Sequence, residues 1–239
     1  SNCIPIVATH DMELTSMGIQ EDIDGITLDD VKAFHQELIQ SAHKQIYLVG
    51  DVASTSIDLD VFEQGNSSVL EDALLDTKIT SKQVECSYDG AQTELVLIYE
   101  SDITPHHELY SAYLVYIAIL GQLPSSLLFQ NIREKHSLAY SIYATRRMFD
   151  GVFAILTGIN DDTMDQTLSL IQEQIDSLKT EVNDLEGAKA YLVLQLEGIQ
   201  EKQKTWSDHV FRNHILGLAT DVSEIQEAIA KVTVEDVMA

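Results

Sequence analysis

The period of the hydrophobic pattern switches repeatedly along the chain, and those switches restrict the fold more than any other feature. Val84, Cys86 and Tyr88 alternate with polar residues, Leu95 to Tyr99 is a continuous apolar run, and Asp89-Gly90 lies between them, which predicts a hairpin. Helical spacing follows from about His107 to Leu120 and again from Ser125 to Lys135, with Pro124 suited to a helix start. A second hairpin is predicted over Tyr140 to Met148 and Val152 to Ile159, turned at Asp150-Gly151. Beyond Asn160 the spacing is helical to the end. Met164, Leu168, Ile171, Ile175 and Leu178 form one apolar stripe, and Leu185, Ala188, Leu192, Leu196 and Ile199 another. Strands, helices, strands and then a run of helices predict an α+β fold, an antiparallel sheet with helices packed on one face.

The N-terminal region is organised differently. Thr27 before Asp29-Asp30 caps a predicted amphipathic helix bearing Val31, Phe34, Leu38 and Ile39, and the run from Ile46 to Val49 predicts a strand closed by Gly50-Asp51. Polar, turn-rich composition around Ser54 to Ser56 and Gly65 to Ser68 predicts a linker. Ile26-Thr-Leu-Asp-Asp-Val31 returns as Val232-Thr-Val-Glu-Asp-Val237, 232 − 26 = 206 residues later. This echo has two readings: two capped helices that coincide, or two copies of one repeat. The second makes residues 1–52 the helix-plus-strand tail of a preceding homologous domain, 53–80 a linker, and 81–239 a domain cut before its last strand.

With 45% hydrophobic residues and 22% charged, the 239-residue chain has a core to bury and lacks the signature of disorder. Its 14 Lys and Arg against 39 Asp and Glu give 14 − 39 = −25, a balance that repels nucleic acid and anionic membrane. Cys3 and Cys86 cannot make a disulfide framework, and no run approaches a membrane span, so a reducing, cytoplasmic location with no membrane partner is expected.

Zinc hydrolysis needs two or three histidines on one face and a carboxylate base. His10-Asp-Met-Glu13 begins an H-x-x-E-H pattern, but Leu14 stands where the second ligand belongs. His106 and His107 diverge on a helix, and His209 and His214 are off one face, so all four are expected at surfaces or helix ends. No serine-hydrolase elbow, phosphate loop or cysteine-protease signature is present. The chain is expected to hold no metal and to perform no chemistry alone.

The segment Gly121-Gln-Leu-Pro-Ser-Ser-Leu-Leu-Phe-Gln-Asn-Ile-Arg-Glu-Lys-His-Ser-Leu-Ala-Tyr140 resembles a signature in the C-terminal half of pitrilysin/insulinase-like zinc peptidases. The pattern is a Gly turn, Ser-Ser, Leu-Phe, Arg-Glu-Lys, a short turn and Leu-Ala-Tyr. It departs at Gln122, where a second Gly is common, and at Leu127, where a basic residue is frequent. The resemblance implies one half of a duplicated peptidase, with zinc held by the first half through H-x-x-E-H, or by a homologous zinc-bearing subunit. It further implies that Arg133 and Tyr140 bind the substrate peptide. Both side chains donate hydrogen bonds suited to peptide carbonyls. From the residues alone, Arg133 reads instead as a helix C-terminal cap and Tyr140 as packing at a sheet rim. Tyr143, Arg146 and Arg147 read as sheet residues, and Lys135 and His136 as solvated. The implied function is the substrate-binding half of a zinc endopeptidase; the alternative is an inactive pseudo-peptidase serving as a scaffold or peptide-binding subunit.

Overall fold

The structure, a computed structural model, describes residues 20–42, 44–50, 90, 92–149 and 151–239. Its elements run α1 (Gln20–Gly25), α2 (Leu28–Ser41), β1 (Thr93–Glu100), α3 (Tyr110–Gly121), a π-turn (Phe129–Glu134), β2 (Ala139–Arg147), β3 (Val152–Ile159), α4 (Met164–Ser177), α5 (Leu185–Glu201), α6 (Gln203–Ile215), α7 (Val222–Lys231) and α8 (Val234–Met238). The three strands form one antiparallel sheet in the order β1-β3-β2. The hairpin predicted over 140–159 forms, with Gly151 supplying the left-handed turn residue at φ +60°. β1 pairs along its length with β3, from Thr93↔Ile159 to Glu100↔Val152. The strand predicted at 84–88, most of the linker at 53–80, and His10 with Glu13 lie outside the described residues.

α3 carries no charge over its 12 residues, so it has no face to give to water. It lies against β2, and Val115, Ile117, Ala118 and Leu120 are wholly buried. The inward positions of the strands meet it: Leu95, Leu97 and Tyr99 from β1, Ile142 and Ala144 from β2, Phe153, Ile155 and Ile159 from β3. Each fully buried Ile among them contributes about 1.5–3 kcal/mol. Burial pushes the Tyr116 hydroxyl up to about 12. Both predicted stripes beyond Asn160 turn inward, with Ile171, Leu178 and Ala188 joining the core, and α5, α7 and α8 pack on α3 from the far side. The other face of the sheet stays open among the described residues, with Val96 and Tyr143 nearly half exposed. The expected α+β arrangement, helices on one face of an antiparallel sheet, is the one observed. Among the described residues no helix is long and apolar enough to cross a membrane.

Three local expectations need correction. The strand expected at 46–49 has no ladder. A strand exists only through a hydrogen-bonded partner, and this run pairs with none of the described strands. Instead Tyr47 packs edge-on against Phe211 and His214 of α6, its hydroxyl 2.9 Å from His214 Nδ1. Pro124 falls in the turn before the next helix rather than at its start, where its carbonyl accepts from Gln130 Nε2 at 2.6 Å. The helix expected over 125–135 winds as a π-helix from Phe129.

The echoed hexapeptides close the same capping box. Thr27 N–H donates to Asp30 Oδ2 at 2.9 Å and Asp30 N–H to Thr27 Oγ1 at 3.2 Å; the Thr233–Asp236 pair does so at 2.8 and 3.2 Å. Bonds from the Thr27 hydroxyl and N–H to Asp30, and from the Thr233 N–H and hydroxyl to Asp236, favour the ionised carboxylates and hold both aspartates below their ordinary 3.8. With folded values depressed, this support is complete above the unfolded value and is lost as pH falls through the folded one. The Asp236 carboxyl is therefore expected to titrate by NMR with a midpoint below 3.8, and Thr233→Ala to bring the midpoint back up; an unshifted midpoint in the parent chain would count against the box.

Candidate functional site

The 121–140 segment divides into residues that the core explains and residues that it does not. Gly121 ends α3 where a Cβ would lie 2.5 Å from Ala144 N, so no larger residue fits without moving helix from sheet. Leu128 and Ile132 are fully buried and Ala139 is 8% exposed. Arg133, by contrast, keeps 43% of its side chain in solvent, and Tyr140 is 57% exposed. Burial accounts for neither.

Each of the two sits on an irregularity of the backbone. Arg133 occupies the last turn of the π-helix, in which Lys135 N–H reaches back to Gln130 O at 3.0 Å. The helix then ends on Ser137 at φ +54°, whose N–H donates to Arg133 O at 3.0 Å, while Leu138 N–H donates to Ile132 O at 3.1 Å. These backbone donors satisfy the Gln130, Ile132 and Arg133 carbonyls, and no bond from Arg133 to a carbonyl of its own helix end is formed. Its guanidinium stacks instead over the Phe129 ring, 4.7 Å from the centroid. Arg133 Nε stands 3.9 Å from Glu134 Oε1, a solvent-exposed pair of little energetic weight.

Tyr140 is the extra residue of a β-bulge. Ala139 pairs with Ile159 and Ser141 with Gly158, so β2 advances two residues while β3 advances one. A bulge re-aims a side chain, and the Tyr140 hydroxyl reaches past the strand end to Asn160 Oδ1 at 3.4 Å. No hydrogen bond or ring contact joins Arg133 to Tyr140; a short turn links the π-helix that carries Arg133 to the start of β2, against which that helix lies. π-turns and bulges are both over-represented at functional sites.

Three supporting residues carried no signal in the sequence. Asn131 Nδ2 donates to Gln174 Oε1 at 2.7 Å and so ties the π-turn to α4, with Gln174 buried to 7% exposure. Asn160 accepts from Tyr140 and also starts the turn into α4, its carbonyl bonded by Thr163. Of the flanking residues, Tyr143 is 47% exposed on the open face of the sheet. Arg146 turns inward over the Tyr110 ring, 5.3 Å from its centroid, and so belongs to packing. Three of the histidines serve local structure: His107 Nδ1 accepts from Leu109 N–H, His209 meets Thr220 O and His214 meets Tyr47. Among the described residues no three His, Cys, Asp or Glu side chains gather to hold a metal ion.

Known proteins place this geometry in context. A Bacillus subtilis protein named "Probable inactive metalloprotease YmfF" is 27% identical over 226 residues, covering 91% of this chain and 53% of its own length. An "Uncharacterized zinc protease" of Rickettsia felis is 32% identical over 158 residues, covering 63% of this chain and 38% of its own. The solved structure of a peptidase M16 inactive domain from Pseudomonas fluorescens superposes with a TM-score of 0.71 at 20% identity, covering 96% of this chain and 57% of that one. The chain thus spans about half the length of the relatives it matches, or less. The family model described as the peptidase M16 inactive domain matches residues 25–192, which include the whole 121–140 segment and both of its exposed donors. With well over half of its residues in that match, and with the resemblance first seen in the 121–140 segment thereby confirmed, the chain belongs to the peptidase M16 inactive-domain family.

Proposed function

We propose that this chain is the substrate-holding half of an M16-type zinc endopeptidase, in which Arg133 and Tyr140 donate hydrogen bonds to main-chain carbonyls of a bound peptide. The observation that carries the reading is the contrast within 121–140: Leu128, Ile132 and Ala139 are buried in the core, while Arg133 and Tyr140 stand in solvent on a π-turn and a bulge. A guanidinium keeps its charge at any working pH, and the Tyr140 phenol, by turning its one proton from Asn160 Oδ1 to the peptide, adds a second donor. Donors aimed at carbonyls grip every peptide alike, so the expected substrate class is extended or unfolded peptide rather than one sequence. In this reading zinc belongs to a homologous half or subunit, residues 1–52 are the tail of that preceding domain, and 53–80 link it to 81–239. Bond cleavage is assigned to no residue of this chain.

A second reading, a pseudo-peptidase that serves as a scaffold, is favoured by the name of the Bacillus subtilis relative, "Probable inactive metalloprotease YmfF". Peptide binding separates the two. A fluorescein-labelled unstructured peptide is expected to bind the 239-residue chain and to lose about tenfold in affinity on Arg133→Ala, the low end for a hydrogen bond to a charged group. Fluorescence anisotropy that is flat for the parent chain, or identical for parent and variant, would sink the substrate-holding role and leave the scaffold.

A further inference from the structure

Packing alone gives no reason for a glutamine at position 174. Three residues of α4 are buried: Thr167, Ile171 and Gln174. Ile171 joins the core, and the Thr167 hydroxyl donates to Thr163 O at 2.9 Å, at the start of its own helix. Gln174, at 7% exposure, instead turns its amide out of α4, where its Oε1 accepts from Asn131 Nδ2 at 2.7 Å. A buried amide is costly to leave unpaired, and an apolar side chain of the same size would fill the position without needing a partner. The use of this amide therefore lies across the contact, in the π-helix against which α4 packs.

Asn131 sits inside the rung that Lys135 N–H closes on Gln130 O, two residues before Arg133. A π-turn takes one residue more per rung than the far commoner α-helix, so a contact must hold that extra residue in place. Among the described residues, the Asn131–Gln174 bond is the only side-chain hydrogen bond that joins Phe129–Glu134 to another helix or strand. Were the turn to rewind as α-helix, Lys135 N–H would move to Asn131 O, Asn131 would swing away from Gln174, and Arg133 would change direction. We propose that Gln174 is a positioning residue, whose bond to Asn131 holds residues 129–134 in the π winding and thereby aims Arg133. The proposal rests on the reading of Arg133 as a donor to bound peptide, but the winding is tested without peptide. The rival cause is the cap that follows, where Leu138 N–H donates to Ile132 O and Ser137 adopts φ +54°. That cap would keep the π-turn whatever stood at 174.

Gln174→Met removes the acceptor at nearly constant side-chain size, and Asn131→Leu removes the donor from the other side. NMR couplings across hydrogen bonds read the winding directly. In the 239-residue chain Lys135 N is expected to couple to Gln130 C′, and in either variant that coupling should give way to one with C′ of residue 131. The exposed Gln172→Met, on the same helix, should change nothing. The second readout is affinity for an unstructured peptide. Gln174→Met should weaken it severalfold, by no more than the roughly tenfold expected of Arg133→Ala, and should add less than about twofold once Arg133→Ala is present. A Lys135–Gln130 coupling that persists in both variants would overturn the proposal and assign the winding to the cap. So would a rewound turn that leaves the affinity intact while Arg133→Ala lowers it, or a full additional loss in the Arg133→Ala background. If the turn rewinds in both variants but the parent chain binds no peptide, the positioning of Arg133 stands and the substrate-holding role fails.

Discussion

Gly121→Ala is expected to destabilise the protein by about 2 kcal/mol, against the usual rule for a helical glycine. Intrinsic propensity alone favours Ala over Gly by about 1 kcal/mol within a helix, and the less flexible unfolded chain points the same way. The opposing contact is larger. The added Cβ would stand 2.5 Å from Ala144 N and 2.8 Å from Ala144 Cβ, with Leu128 Cδ1 at 3.0 Å. Backbone cannot rotate aside as a side-chain tip can, so α3 must retreat from β2, an overpacking cost of about 3 kcal/mol. For a chain of this size a net loss near 2 kcal/mol lowers Tm by roughly 4–8 °C. Combining the substitution with Ala144→Gly should recover only part of the loss, because the nitrogen remains. Calorimetry that finds Tm unchanged or raised would show that the helix end moves freely, and the close approach would then not explain the glycine.

The same segment shows where a sequence can and cannot be read. The hairpin from β2 to β3 was legible because alternation and an Asp-Gly turn are local properties, and its edges fall within a residue or so of those expected. The core of the turn from Phe129 to Glu134 was legible too, in that Leu128 and Ile132 had to face inward. Its winding was not. Over six residues an α-helix and a π-helix put the same apolar pair on the inner side, and only the Lys135–Gln130 bond tells them apart. The bulge at Tyr140 likewise depends on the register between two strands, which a single strand's composition does not contain. The run 46–49 fails for a related reason, since its apolar residues specify a strand but not the partner that would make it one. Arg133 and Tyr140 were singled out by resemblance alone, whereas their irregular backbone settings and their neighbours Asn131, Gln174 and Asn160 emerge only once the chain is folded.

If those settings exist to aim donors at a peptide, Arg133→Ala and Tyr140→Phe should impair cleavage by the complete peptidase, and the two losses should nearly multiply. Removing a charged donor from a peptide carbonyl costs about 1.5–3 kcal/mol, or roughly 10- to 100-fold in kcat/KM. Removing the neutral phenol costs about 0.5–1.5 kcal/mol, or roughly 2- to 10-fold. No hydrogen bond or ring contact joins Arg133 to Tyr140, so the two substitutions are expected to act independently, and independent sites add within about 0.5 kcal/mol. Lys135→Ala, beside them in sequence and solvated, serves as the control and should leave kcat/KM within about twofold, as surface substitutions generally do. The balance between kcat and KM then reports what the donors do. A rise in KM with kcat unchanged means that they hold the peptide equally well throughout, whereas an equal fall in kcat and kcat/KM means that their bonds tighten only as the carbonyl gains charge. Single variants indistinguishable from the parent would remove Arg133 and Tyr140 from the site altogether, leaving the π-turn and the bulge as features of packing alone.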